Sequence, residues 1–84
     1  MTTQTSQTTA PVANEYAAFC VAPHKSKPGL FRVWLFWKMA FGFGQKTLTR
    51  GVDCRDMLWD DADKARRWVT RNIGAMPERA ELLR

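Results

Sequence analysis

The run Leu30 to Met39, Leu-Phe-Arg-Val-Trp-Leu-Phe-Trp-Lys-Met, limits what this chain can fold into more than any other stretch. Side chains alternate across an extended strand. Phe31, Val33, Leu35, Trp37 and Met39 therefore share one face, and Leu30, Arg32, Trp34, Phe36 and Lys38 share the other. The first face is apolar apart from the Trp37 indole N–H and reads as core. On the second, two aromatic rings sit between two cations, so this face is the one expected to meet a partner. Pro28-Gly29 on one side and Gly42 and Gly44 on the other bracket a length that suits a strand.

A chain of 84 residues is one domain at most, near the lower limit for folding on a single core. Its 4 Trp and 5 Phe supply the large apolar surfaces that make such a core feasible. Residues 1–14, rich in Thr and Gln and poor in large apolar side chains, cannot offset the entropy of ordering and are expected to form a disordered tail. The folded domain is expected to span residues 15–74.

Tyr16 to Ala22 reads as a first strand, with Phe19 and Val21 on one face and Tyr16, Ala18 and Cys20 on the other. Pro23 ends it, because proline cannot donate to a central ladder. Pro23 to Gly29 is a basic loop that makes a hairpin with Leu30–Met39. Ala40 to Gln45 contains Gly42 and Gly44 and reads as a turn or bulge. Lys46 to Asp53 alternates and is rich in Thr, which predicts a third strand.

A helix follows. Asp60 or Asp61 serves as N-cap, and Asp60, Asp61 and Asp63 complement its positive end. Ala62, Ala65, Trp68, Val69 and Ile73 recur at helical spacing, and Gly74 supplies the stop. Asp60 with Lys64, and Asp63 with Arg67, are expected ion pairs one turn apart. Residues 75–84 form a C-terminal tail that adds one amphipathic turn through Leu82 and Leu83. The expected architecture is α+β: a three-stranded antiparallel sheet, β-β-β-α, with one helix packed on one face and the other face open.

The formal charge is +5. Residues 16–59 carry the excess, with Lys25, Lys27, Arg32, Lys38, Lys46, Arg50 and Arg55 set against Asp53 and Asp56. A basic sheet favours polyanions. The leading expectation is a non-enzymatic module that binds DNA or RNA through the open face. Arg32, Trp34, Phe36 and Lys38 would make the contacts, with Arg50 from the neighbouring strand and Lys25 and Lys27 from the loop. Lys64, Arg67 and Arg71 on the helix form a secondary phosphate-contacting stripe. The alternative partner is a protein: an inhibitor or adaptor using the same aromatic face, with a homodimer as one form. A plainer reading puts Trp34 and Phe36 in a second small core covered by the C-terminal tail or a dimer mate.

Enzyme signatures are missing from the sequence. There is a single histidine, His24, and no G-x-S-x-G, P-loop, G-x-G-x-x-G or H-E-x-x-H motif. Cys20 and His24 have a C-x3-H spacing, with Cys54 as a third ligand and Asp53 or Asp56 as a carboxylate, but a fourth Cys or His for a closed zinc site does not exist. No metal, cofactor or small-molecule substrate is expected. Cys20 and Cys54 read as buried reduced thiols, a disulfide between them being the alternative. The N-terminus has no apolar h-region, and Leu30–Phe43 is too short to span a bilayer and is interrupted by Arg32 and Lys38. The chain is expected to be soluble and cytoplasmic.

Three strands followed by a helix carrying Ala65 and Trp68 is a layout that resembles the arm-type DNA-binding domain of tyrosine recombinases, over residues 16–74. It is similar in the same way to small phage proteins that block host machinery, anti-CRISPR proteins among them. The resemblance is one of layout and assigns no residue a role. It implies a mobile-element protein whose partner is DNA or a host protein.

Overall fold

The computed structural model describes residues 16–53 and 55–84. The expected tail over residues 1–14, Glu15 and Cys54 lie outside the described residues. Among the described residues, five strands and one helix follow in order: β1 (Ala18–Pro23), β2 (Phe31–Met39), β3 (Gly42–Thr47), β4 (Thr49–Arg50), β5 (Arg55–Asp56) and α1 (Ala62–Asn72). A short 3-10 turn, Ala80–Leu82, follows the helix. β1, β2 and β3 form an antiparallel meander with β2 in the centre, and β4 pairs with β5 in a separate small hairpin. The α+β layout read from the sequence is the one observed.

The period-2 pattern of β2 sets the register on both sides. Phe19 lies opposite Leu35 and Val21 opposite Val33, while Ala18 lies opposite Phe36 and Cys20 opposite Trp34. The helix covers the first of these faces, where Phe19, Val33 and Leu35 pack with Ala65 and Val69. Tyr16 belongs to this cluster too, contrary to the expected alternation, because it precedes the strand and is free of its pleat. Trp59 and Trp68 meet at 5.8 Å on the same side.

The helix ends where its sequence signals place them. Asp61 is the N-cap and accepts the Asp63 N–H at 2.7 Å. At the other end Gly74, with φ at 142°, turns its N–H back to the Val69 carbonyl at 3.0 Å. Lys64 pairs with Asp60 as expected, at 3.4 Å. Asp63 pairs with Arg66, three residues on, rather than with Arg67, at 2.8 Å, and the same guanidinium also reaches Glu78.

The third strand departs from the sequence reading. It begins at Gly42 rather than Lys46, since Ala40 and Phe41 alone connect β2 to β3 and Met39 pairs directly with Gly42. Gly42 adopts φ of 99°, which a side chain would resist. Gly44 lies opposite Trp37, and a Cβ there would fall inside the indole ring. The glycine therefore gives the ring a flat seat on the edge strand. Thr49 and Arg50, expected to continue the third strand, instead pair with Asp56 and Arg55. Beyond Val33 the vacated edge of β2 is taken by Trp59, whose N–H and C=O bond Phe31 at 3.0 and 2.7 Å.

Gly44→Ala should lower stability by roughly 1–3 kcal/mol, because the indole must leave its seat. Urea midpoints should show that most of this loss vanishes when the same change is made in a Trp37→Ala background.

Candidate nucleic-acid interface

The second face of the sheet, expected to be open, is covered. Phe36 is 0 % exposed and Cys20 2 %. With Ala18 they form a second core, against which Trp34, Phe43, Leu82 and Leu83 pack. The cover is the C-terminal tail. Pro77 to Arg79 first runs alongside the outer edge of β1, where the Phe19 N–H donates to the Pro77 carbonyl at 3.1 Å and the Arg79 N–H to the Phe19 carbonyl at 2.8 Å. Glu78 pins this segment by accepting from Arg66 at 2.8 Å and from the Val21 N–H at 3.3 Å.

The chain then crosses the face and is clamped on the opposite edge. The Gln45 side-chain amide donates to the Arg84 carbonyl at 3.2 Å and its oxygen accepts the Arg84 N–H at 3.1 Å. The Arg84 guanidinium donates to the Phe43 carbonyl at 2.7 Å. Of the readings open at the sequence, the plainer one for Phe36 is the one observed: it belongs to a second core under the tail. Phe36 cannot reach a partner while the tail is in place.

Arg32 is not a free cation either. Its guanidinium donates to Asp56 at 3.2 Å and lies 4.9 Å over the Trp34 ring, with the side chain 18 % exposed. His24 approaches the same carboxylate oxygen at 3.8 Å and accepts the Ser26 N–H on Nδ1 at 3.1 Å. Arg32 Nε is buried and has no hydrogen-bond partner among the described residues. The cluster joins the loop after β1, the central strand and the β4–β5 hairpin through one carboxylate. Its role is to hold the two sheets together.

The remaining sequence candidates separate into groups. Lys25 and Lys27 are exposed on the loop, which the His24–Asp56 contact sets beside the hairpin carrying exposed Arg50. Lys38 is exposed at the far end of β2. On the helix, Arg67 and Arg71 are exposed and line a depression with Arg66 and Thr70, while Lys64 is turned to Asp60. The fold does not gather these cations onto one face. Sequence reasoning missed the hairpin tip. Met39, expected in the core, is 54 % exposed, and Phe41 is 98 % exposed. The signal was a large ring in a connection too short to bury it.

Among the described residues no three His, Cys, Asp or Glu side chains converge as metal ligands, and no helix is long and apolar enough to cross a membrane. Cys20 is a free thiol, and the proposed third ligand, Cys54, lies outside the described residues. Compared with protein-family models, curated proteins and solved structures, the chain matches none.

Two outcomes follow from this geometry. Asp56→Ala should destabilise the fold by about 1–3 kcal/mol, since it strands a largely buried guanidinium, and thermal melts of Asp56→Ala against the wild type will measure it. Burial, followed by the charge of Glu78, raises the Cys20 pKa above its ordinary value of 9.0. The unfolded chain then loses this proton before the folded one does, so this contribution to stability is intact below pH 9.0 and declines as pH rises through the folded value. Denaturation midpoints taken at rising pH should fall more steeply for the wild type than for Cys20→Ala.

Proposed function

We propose that this chain is a small basic module that binds nucleic acid without catalysing a reaction. The observation that carries the reading is an imbalance in ion pairing. Every side-chain carboxylate among the described residues is already engaged: Asp53, Asp56, Asp60, Asp63, Glu78 and Glu81 in ion pairs, and Asp61 at the helix cap. Lys25, Lys27 and Arg50 at one end, Lys38 and Lys46 on the hairpin, and Arg67 and Arg71 on the helix have no carboxylate partner among those residues. Unpaired cations spread over a small body suit phosphate contacts, which need charge rather than a shaped pocket.

Arg32, Trp34 and Phe36 serve the fold, and Lys25, Lys27, Lys38 and Arg50 remain as phosphate contacts, with Arg67 and Arg71 as the secondary stripe. A protein partner is the second reading, favoured by the exposed apolar side chains of Met39 and Phe41.

Titrating labelled mixed-sequence DNA with the chain, followed by fluorescence anisotropy, separates the two. The expected result is binding whose affinity falls steeply as salt rises. In the variant Lys25→Ala/Lys27→Ala/Arg50→Ala, the slope of log K against log salt should shrink by about 2 to 3 for three lost phosphate contacts. Absence of binding at low salt, or binding indifferent to salt, would overturn the proposal.

A further inference from the structure

Phe41 is 98 % exposed at the end of the β2–β3 hairpin, beside Met39 at 54 %. An aromatic ring in water contributes nothing to the core, and a two-residue connection favours small polar residues or glycine. The strands that carry it are nevertheless tied together. The strands are paired up to Met39 and Gly42, Trp37 lies across Gly44 just below, and the Arg84 guanidinium holds the Phe43 carbonyl at 2.7 Å.

The setting of the ring is cationic. Lys38, opposite Phe43, is exposed and has no carboxylate partner among the described residues. The Arg79 guanidinium lies 5.8 Å over the Phe43 ring, though Glu81 neutralises it. Arg84 and Lys38 thus flank the base of an apolar tip. Aromatic rings accept any base face by stacking, and neighbouring cations hold the phosphates on either side.

We propose that the Met39–Phe41 tip is a stacking wedge for nucleic-acid bases, with Phe41 set against an unpaired base and Lys38 and Arg84 on the adjacent phosphates. This rests on the nucleic-acid reading and deepens it, because it makes single-stranded or locally opened nucleic acid the preferred ligand. The protein uses its charge for affinity in general and this ring for the choice of strand state.

The test is fluorescence anisotropy with a labelled mixed-sequence single-stranded oligonucleotide and the matching blunt duplex, using the full chain, Phe41→Ala and Phe41→Trp. Phe41 touches no core residue, so both variants should keep the wild-type circular dichroism and melting temperature. Phe41→Ala should weaken single-strand binding by about tenfold or more, the range seen when one stacked aromatic is removed. Its duplex binding and salt slope should stay near wild type, and Phe41→Trp should restore single-strand affinity. Equal binding by wild type and Phe41→Ala would overturn the wedge and leave the nucleic-acid reading standing. No binding of the wild type to either oligonucleotide would overturn both.

Discussion

The constraint on which the structure depends is that its central strand carries large apolar side chains on both faces. A strand of that kind cannot sit at a surface, so β2 needs neighbours on two edges and covers on two sides. The edges are supplied by β1 and β3, with Trp59 completing the row beside Phe31. One cover is the helix, through Ala65 and Val69. The other is a tail that lays Leu82 and Leu83 over Phe36 and Phe43. The two covers are tied to each other, since Arg66 of the helix and the Val21 N–H of β1 both bond Glu78 of the tail. Loss of either cover would expose a fully buried aromatic or aliphatic layer.

Electrostatics then divides the side chains by role. Arg32, whose side chain is largely withdrawn from solvent, is matched to Asp56 and stacked on Trp34, and it joins the two sheets. A guanidinium suits this position because its planar face stacks while its edge donates. Because the described side-chain carboxylates are all engaged in such contacts, the basic excess is left on the loop, the hairpin and the outer side of the helix. Folding consumes the aromatic face and leaves charge outside, and the proposed function follows from that division.

Most of this fold was legible in the residues. Alternation gave the faces of β2 and the pairing of Phe19 and Val21 with its inner side. The acidic start and Gly74 located the helix. The cover over Phe36 was harder to see, because alternation shows that a face is apolar but not which distant segment lies on it. Leu82-Leu83 is too short a signal to distinguish a strap from a frayed end. Gly44 read as a turn residue because sequence does not show that Trp37 lies opposite it. Arg32 read as a phosphate contact because its partner, Asp56, is brought near only by the turn of the β4–β5 hairpin. Phe41 was passed over for the converse reason: an aromatic is assumed to be buried, and only the two-residue connection rules that out.

The most direct test of the account is a map of backbone amide chemical shifts by nuclear magnetic resonance as a short single-stranded oligonucleotide is added. If the sheet is closed on both faces and the ligand meets the rim, shifts will concentrate at Lys38 to Gly42 and at the loop carrying Lys25 and Lys27. Phe36, Cys20 and the tail around Leu82 and Leu83 will stay in place. Shifts centred on Phe36, Leu82 and Leu83 would contradict the account, because they would mean that the tail lifts and that the aromatic face beneath it is the binding surface.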